Sequence, residues 1–211
     1  EENIKVTIEN NALKYEKGHI EKSKNNFEKL ILIGALCNNA APKQDGDKNK
    51  LLGDPIEIAL VHLANASGTT ADSLKDAHER ISEMPFNSDT KVMGTLHKSK
   101  TGNFVAAKGA VEHLLEKCKR IIFDETVKTL GDDERKKIIA DSEKMAADGL
   151  RVLAFAYKEE SDTGNDDFLN NLIYAGSVGF LDPPRLEIKE AILSCRKAGI
   201  SIVMITGDHP M

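Results

Sequence analysis

Four side chains in this sequence are of types that recognise a charged aromatic ligand: Glu57, Phe86, Lys108 and Arg151. Lys108 lies in NFVAAKGAVEHLLE, residues 103–116, where a short apolar run, Phe104 to Ala107, changes at Gly109 to helical spacing in Val111, Leu114 and Leu115. Gly109 stands where a residue free to adopt unusual dihedrals lets the chain turn. A lysine at such a corner, beside helix N-terminal amides, is suited to meet an anion. A solvated lysine at a strand end is the plain alternative. Arg151, at an expected helix-to-strand junction, is either a surface charge or a planar donor fork for phosphate. Phe86 is either core or a π-face at a sheet margin on which a base stacks. Glu57 is a carboxylate that can accept from a ligand's amino group, but it also has a structural explanation. In GDPIE, Asp54 is a helix N-cap, Pro55 the first helical residue and Glu57 the acid of a capping box, the reading preferred from the residues alone.

The elements that must carry these groups are legible in outline. Ile4, Val6 and Ile8 alternate as a strand ahead of an Asn10-Asn11 turn. Ser23 is placed to cap a helix bearing Phe27, Leu30, Ile31, Gly34 and Cys37 on one face. Asn38 to Lys50 is polar and predicts an exposed loop. Helices are expected after Asp54 and over 70–79, with Ile58, Leu60 and Val61 burying the first. A turn at Asn87-Ser88-Asp89 leads to a strand through Val92, Gly94 and Leu96, and residues 99–102 form a tight turn back into the Lys108 strand. That hairpin implies antiparallel pairing, unlike a dinucleotide fold. Asp132 is expected to cap a long helix ended by Gly149, and strands follow over 150–157 and 172–181. Beyond Asp182-Pro183-Pro184-Arg185, which suits a hinge or an ordinary loop, an amphipathic helix carries Ile188, Ala191, Ile192 and Cys195. The buried-type strand Ile200 to Ile205 after it ends in Thr206-Gly207-Asp208, in the manner of a doubly wound domain.

Composition excludes several classes. With 211 residues the chain is long enough for one large domain, or one and a part, around a real core. Net charge is −5 and the basic residues are dispersed, so nucleic acid is not an expected partner. No apolar run approaches bilayer length and the first residues lack a secretion signal, so no membrane contact is expected. Cys37, Cys118 and Cys195 are isolated thiols, which fits a reducing compartment. GxxxxGK(S/T) is absent, and the six histidines show no HExxH spacing, so neither a P-loop nor a metal site is expected. Ser88-x-x-Lys91 and Lys100-Thr101-Gly102 match fragments of the penicillin-binding signature but lie too close together. Both ends read as cut from something longer.

Taken in order, GDPIEIAL at 53–60, PFNSDTK at 85–91, KGAVE at 108–112, LRVLAFA at 150–156, DPPR at 182–185 and TGDH at 206–209 resemble the nucleotide-binding domain of a P-type cation-transporting ATPase. The likeness covers nearly the whole chain and points to the calcium-pump-like group. It implies an α+β fold, an antiparallel sheet flanked by helices over 1–181. Residues 182–211 would be the hinge and the start of a truncated, doubly wound phosphorylation domain. It implies ATP as ligand, with Phe86 stacking on adenine and Glu57 near the adenine amino group. Lys91 and Lys108 would line the pocket beside Gly109, and Arg151 would approach the phosphates. Asp182, Pro183, Pro184 and Arg185 would be the hinge, and Thr206, Gly207 and Asp208 a nucleotide-proximal loop. A stacked base contributes roughly 1–3 kcal/mol in other sites. Val111 and His209 depart from the family's common proline and asparagine, at positions that are not ligand contacts. The family's DKTGT and its magnesium-binding aspartates are absent, so this fragment has no catalytic residue and binds no metal of its own. The resemblance implies a cytoplasmic domain of an integral membrane protein that uses Mg2+ in the parent enzyme and works with that chain's phosphorylation and actuator domains. A nucleotide-sensing or protein-interaction module on the same fold is the alternative; a free-standing phosphatase lacks its nucleophilic aspartate. Ion identity would be set by membrane helices outside this sequence.

Overall fold

The computed structural model describes residues 6–9, 12–15, 24–42, 51–123, 126–160, 167–181 and 187–203. Val6–Glu9 (β1) and Ala12–Tyr15 (β2) pair antiparallel, and the expected Asn10-Asn11 turn between them lies outside the described residues. Helix Lys24–Leu36 (α1) follows, then the short paired strands Ala41–Pro42 (β3) and Leu51–Leu52 (β4), and helices Pro55–Ala66 (α2) and Ala71–Ala77 (α3). Next come Arg80–Met84 (β5), Val92–Ser99 (β6) and Gly102–Gly109 (β7), helix Val111–Lys117 (α4), and Cys118–Phe123 (β8) with Thr126–Thr129 (β9). Helix Asp132–Ala147 (α5), strands Arg151–Glu160 (β10) and Leu172–Phe180 (β11), and helix Ile188–Lys197 (α6) complete the order.

Seven of these strands form one sheet in the order β5-β6-β7-β10-β11-β8-β9. Every neighbouring pair is antiparallel except β11 with β8, so the α+β class holds with one parallel step. The centre is built from local hairpin chemistry: β6 and β7 run in continuous register from Val92↔Gly109 to Ser99↔Gly102 around Lys100-Thr101. Alternation then sorts their side chains. Val105, Ala107, Ala154 and Ala156 join Leu114 and Leu115 of α4, with Ile138 and Ile139 of α5 against them. Phe104, Ala106, Phe155 and Tyr157 face the other way, onto Ile33 and Leu36 of α1 and Leu60 of α2. Phe155, Ile33, Leu36 and Leu60 are fully buried, and each such side chain stabilises the fold by about 1.5–3 kcal/mol.

Several expectations are corrected. The strand runs to Gly109 and α4 begins at Val111, so Lys108 lies at a strand end just ahead of a helix as expected, but it is paired on both sides within the sheet, with Met93 and Phe155. Gly109 does not carry a positive φ. Its requirement is steric, since a Cβ there would come within 2.5 Å of the Lys91 carbonyl oxygen. Asn38 and Ala40, expected in an exposed loop, are buried, because the chain leaving α1 is pinned between α1 and α2. Residues 43–50 of that loop lie outside the described residues. Asp132 is the first helical residue of α5 and Gly131 occupies the cap position without a side-chain bond. Gly149 ends α5 with φ +79°, as expected.

The C-terminal piece forms its helix but buries nothing there among the described residues. Residues 200–203 carry no strand, and Ile200, Ile202 and Val203 are exposed. A buried-type strand gains its stability from flanking strands, and no described strand pairs with this run. Ser23, Asp182, Pro183, Pro184, Arg185, Thr206, Gly207 and Asp208 lie outside the described residues.

Candidate nucleotide site at one end of the sheet

The end of β5, the start of β6, the end of β7 and the start of β10 meet at one edge of the sheet, because the pairs β5/β6, β6/β7 and β7/β10 are antiparallel. Phe86 lies two residues past β5, Lys91 one residue before β6, Lys108 and Gly109 at the end of β7, and Arg151 at the start of β10. Five expected residues are thus gathered by strand register alone. Arg151 alternates in phase with Leu153, Phe155 and Tyr157, so it shares the α1–α2 face with Lys108.

Their exposures differ. Phe86 is 62% exposed, which excludes the core reading. Lys91 and Arg151 are also exposed, with Arg151 opposite Phe180 in β11. Lys91 adopts φ 50° at the end of the 87–90 turn, where Asn87 Oδ1 accepts from the amide of Asp89 at 2.7 Å and the Lys91 amide donates to the Asn87 carbonyl at 2.7 Å. The Lys91 carbonyl accepts from the Ala110 amide at 3.0 Å, locking the turn to the end of β7.

Lys108 is 7% exposed, which overturns the solvated-lysine reading. Its Nζ donates to Glu57 Oε1 at 2.6 Å, and Glu57 Oε2 accepts from the Asn39 amide at 3.2 Å. The capping-box expectation for Glu57 is therefore corrected. Asp54 caps α2 through the Ile56 amide at 2.8 Å, while the Glu57 carboxylate turns toward the sheet. A buried ammonium needs a counter-charge more than a helix terminus needs a second acceptor. Beneath the pair, Cys37 donates to the Met93 carbonyl at 3.6 Å. Burial pushes its thiol up to about 11 even though the Lys108 ammonium pulls it down.

Beside Glu57 lies a network that the sequence reading did not find. Arg80 Nη2 donates to the carbonyls of Leu36 at 2.7 Å and Asn38 at 2.8 Å, and Nη1 donates to Asn39 Oδ1 at 2.6 Å and Glu83 Oε2 at 2.9 Å. A signal was present in Arg80-x-x-Glu83 and in the Asn38-Asn39 pair after an apolar helix, but each taken alone reads as solvent-facing side chains of a strand or loop. A cavity of about 290 Å³ opens next to it, lined in part by Lys75, His78 and His97. Burial lowers the Lys75 pKa and lowers that of His97 to about 4, so His97 is neutral at pH 7. Among the described residues no group of three or more His, Cys, Asp or Glu could hold a metal ion. No helix of the described residues is long and apolar enough to cross a membrane.

Comparison with known proteins shows relatives along most of the chain. Residues 26–187 match the family described as P-type ATPase, cytoplasmic domain N. The chain is 39% identical over 188 residues to calcium-transporting ATPase 1 of Bacillus cereus, covering 88% of this chain and 21% of that protein. It is 38% identical over 187 residues to cation-transporting ATPase pma1 of Synechocystis, covering 87% and 20%. It is 36% identical over 192 residues to the sodium/potassium exporting P-type ATPase cta3 of Schizosaccharomyces pombe, covering 87% and 18%. The chain thus spans about a fifth of the length of the curated relatives it matches. With the family match spanning most of its described elements, this chain belongs to the P-type ATPase family as a cytoplasmic N domain.

Proposed function

We propose that this chain binds ATP at the sheet end that carries Phe86, Lys91, Lys108, Gly109 and Arg151, and that it does so for a cation-transporting P-type ATPase. The single observation that carries the reading is the meeting, at that end, of an exposed aromatic, a buried lysine–carboxylate pair and two exposed cations. Phe86 offers its ring face to adenine, and the desolvated ring gains by stacking. Glu57 keeps lone pairs beyond those used by Lys108 and Asn39 and accepts from the adenine amino group. Lys91 and Arg151 meet phosphate oxygens through charge-assisted bonds. Gly109 leaves the Lys91 carbonyl and the chain end close-packed beside the ligand.

In the parent protein, Asp182 to Arg185 act as the hinge, and Thr206, Gly207 and Asp208 approach the nucleotide from the next domain. Mg2+ would supply charge neutralisation on the phosphates during transfer to an aspartate outside this chain. The covalent step splits hydrolysis in two and couples it to cation movement. The domain would sit on the cytoplasmic side of an integral membrane protein and work with its phosphorylation and actuator domains.

An ATP titration of the chain, followed by backbone amide chemical shifts without magnesium, tests this. Shifts are expected at Glu57, Phe86, Lys91, Lys108 and Arg151, and Phe86→Ala is expected to weaken ATP binding by about 1–3 kcal/mol with the amide spectrum otherwise retained. Shifts at millimolar ATP confined to other regions, or equal affinity in a folded Phe86→Ala, would overturn it.

A further inference from the structure

We infer that Arg80, with Asn39 and Glu83, is a positioning clamp that sets the selectivity of the site for an amino-bearing purine by fixing the Glu57 carboxylate. This rests on the proposed role of Glu57 at the base.

Arg80 opens β5, one of the two edge strands of the sheet, and reaches the exit of α1. Two of its bonds go to main-chain carbonyls, those of Leu36 and Asn38, and two to side chains, Asn39 and Glu83. A lysine has no planar fork with which to reproduce that set. Glu83 Oε1 in turn accepts from Asn39 Nδ2 at 2.8 Å, so the Asn39 side-chain amide is held at both ends. On the inner side, Asn38 Nδ2 donates to the carbonyls of Gly34 at 3.1 Å and Glu57 at 2.9 Å, and its Oδ1 accepts from the Ala40 amide at 2.9 Å. The 38–40 segment is thereby fastened to α1, α2 and β5 together.

The product of this fastening is one bond, from the Asn39 main-chain amide to Glu57 Oε2 at 3.2 Å. Among the described residues Lys108 alone holds the other oxygen, and its ammonium is rotationally permissive. The plane of the carboxylate is therefore set by Asn39, and the position of Asn39 by Arg80. An ionised carboxylate only accepts hydrogen bonds. Held in one orientation, it favours a ligand amino group and opposes a carbonyl oxygen at the same place. If it is free to swing with Lys108, it avoids the carbonyl and the discrimination is lost. Arg80 and Glu83 are each between a quarter and a third exposed, so their ion pair by itself contributes little. The clamp acts through the main-chain bonds.

The test compares ATP with inosine triphosphate, in which a carbonyl oxygen replaces the exocyclic amino group, by calorimetric titration of the whole chain. The wild type is expected to prefer ATP by about tenfold or more, the usual range for a hydrogen bond to a charged group. Arg80→Gln and Arg80→Lys are expected to bring the two affinities within about threefold of each other, with ATP binding weakened and inosine triphosphate binding strengthened. A purely structural role for Arg80 would weaken both nucleotides by the same factor, and that result overturns the clamp. So does a wild-type preference retained in a folded Arg80→Gln. Equal affinities in the wild type would instead overturn the role of Glu57 at the base, and the clamp's role with it. Should Arg80→Gln lose its folded amide spectrum, Asn39→Ala decides alone. Asn39 is exposed, and the substitution removes both side-chain tethers while leaving its main-chain amide in place.

Discussion

Lys108 and Glu57 show how one contact changes the meaning of two residues. Each had an ordinary local explanation, a solvated strand end and a capping box, and the 2.6 Å bond between them removes both. The two side chains are 9% and 13% exposed, so neither charge is satisfied by water once the other is gone. Lys108→Met is expected to destabilise the chain by roughly 3–5 kcal/mol in urea unfolding, the usual cost of leaving one partner of a buried pair uncompensated. Adding Glu57→Gln to it should cost less than the sum of the two single changes by about 1 kcal/mol or more. Strict additivity would mean that the two charges are solvated separately. Phe86 makes the opposite case, because its 62% exposure leaves a large ring in water with nothing in the fold to gain from it. Glu57, Phe86, Lys91, Lys108 and Arg151 were all legible as residue types. The Arg80 network was not, since Leu36, Asn38 and Asn39 lie 44, 42 and 41 residues before Arg80.

At the scale of elements, hairpin chemistry was the most legible feature. The turn at residues 100–101 sets the register of β6 on β7, and that register places Lys91 against Gly109 and Ala110. β5 was less legible, because an irregularity between Arg80 and Ser82 breaks its alternation. The parallel step between β11 and β8 joins strands separated by β9, α5 and β10, a pairing that local pattern does not encode. α6 is the reverse case, a helix whose amphipathic pattern is plain but which buries none of its residues among those described, Ile188 of its apolar face being exposed. Amides of 189–197 should exchange with deuterium about a hundredfold or more faster than those at the centre of β6 and β7. Equal protection would show that this face is covered in solution.

For the molecule as a whole, one histidine buried within the fold carries a response of stability to acid. His97 belongs to β6, its Nδ1 bonds the His78 carbonyl at 3.0 Å, and burial lowers its pKa from 6.5 to about 4. The folded value lies below the unfolded one, so between those values the unfolded chain binds more protons. Its contribution is therefore fully present above about pH 6.5 and is lost as pH falls toward 4. The unfolding free energy of the wild type is expected to drop from pH 7 to pH 5 more steeply than that of His97→Gln, and parallel profiles would remove His97 as the cause. The sequence by itself determined the helices, the central hairpin, the residue types at the site and the family resemblance, because these rest on period, turn chemistry and short motifs within single elements. Tertiary structure alone decided that Lys108 is buried and paired with Glu57, that Asn38 is inside, that Arg80 grips the exit of α1, and that α6 lies uncovered. Those outcomes depend on which charged groups lose water when separate elements pack. Desolvation is a property of the assembled layers, and no local window of sequence contains it.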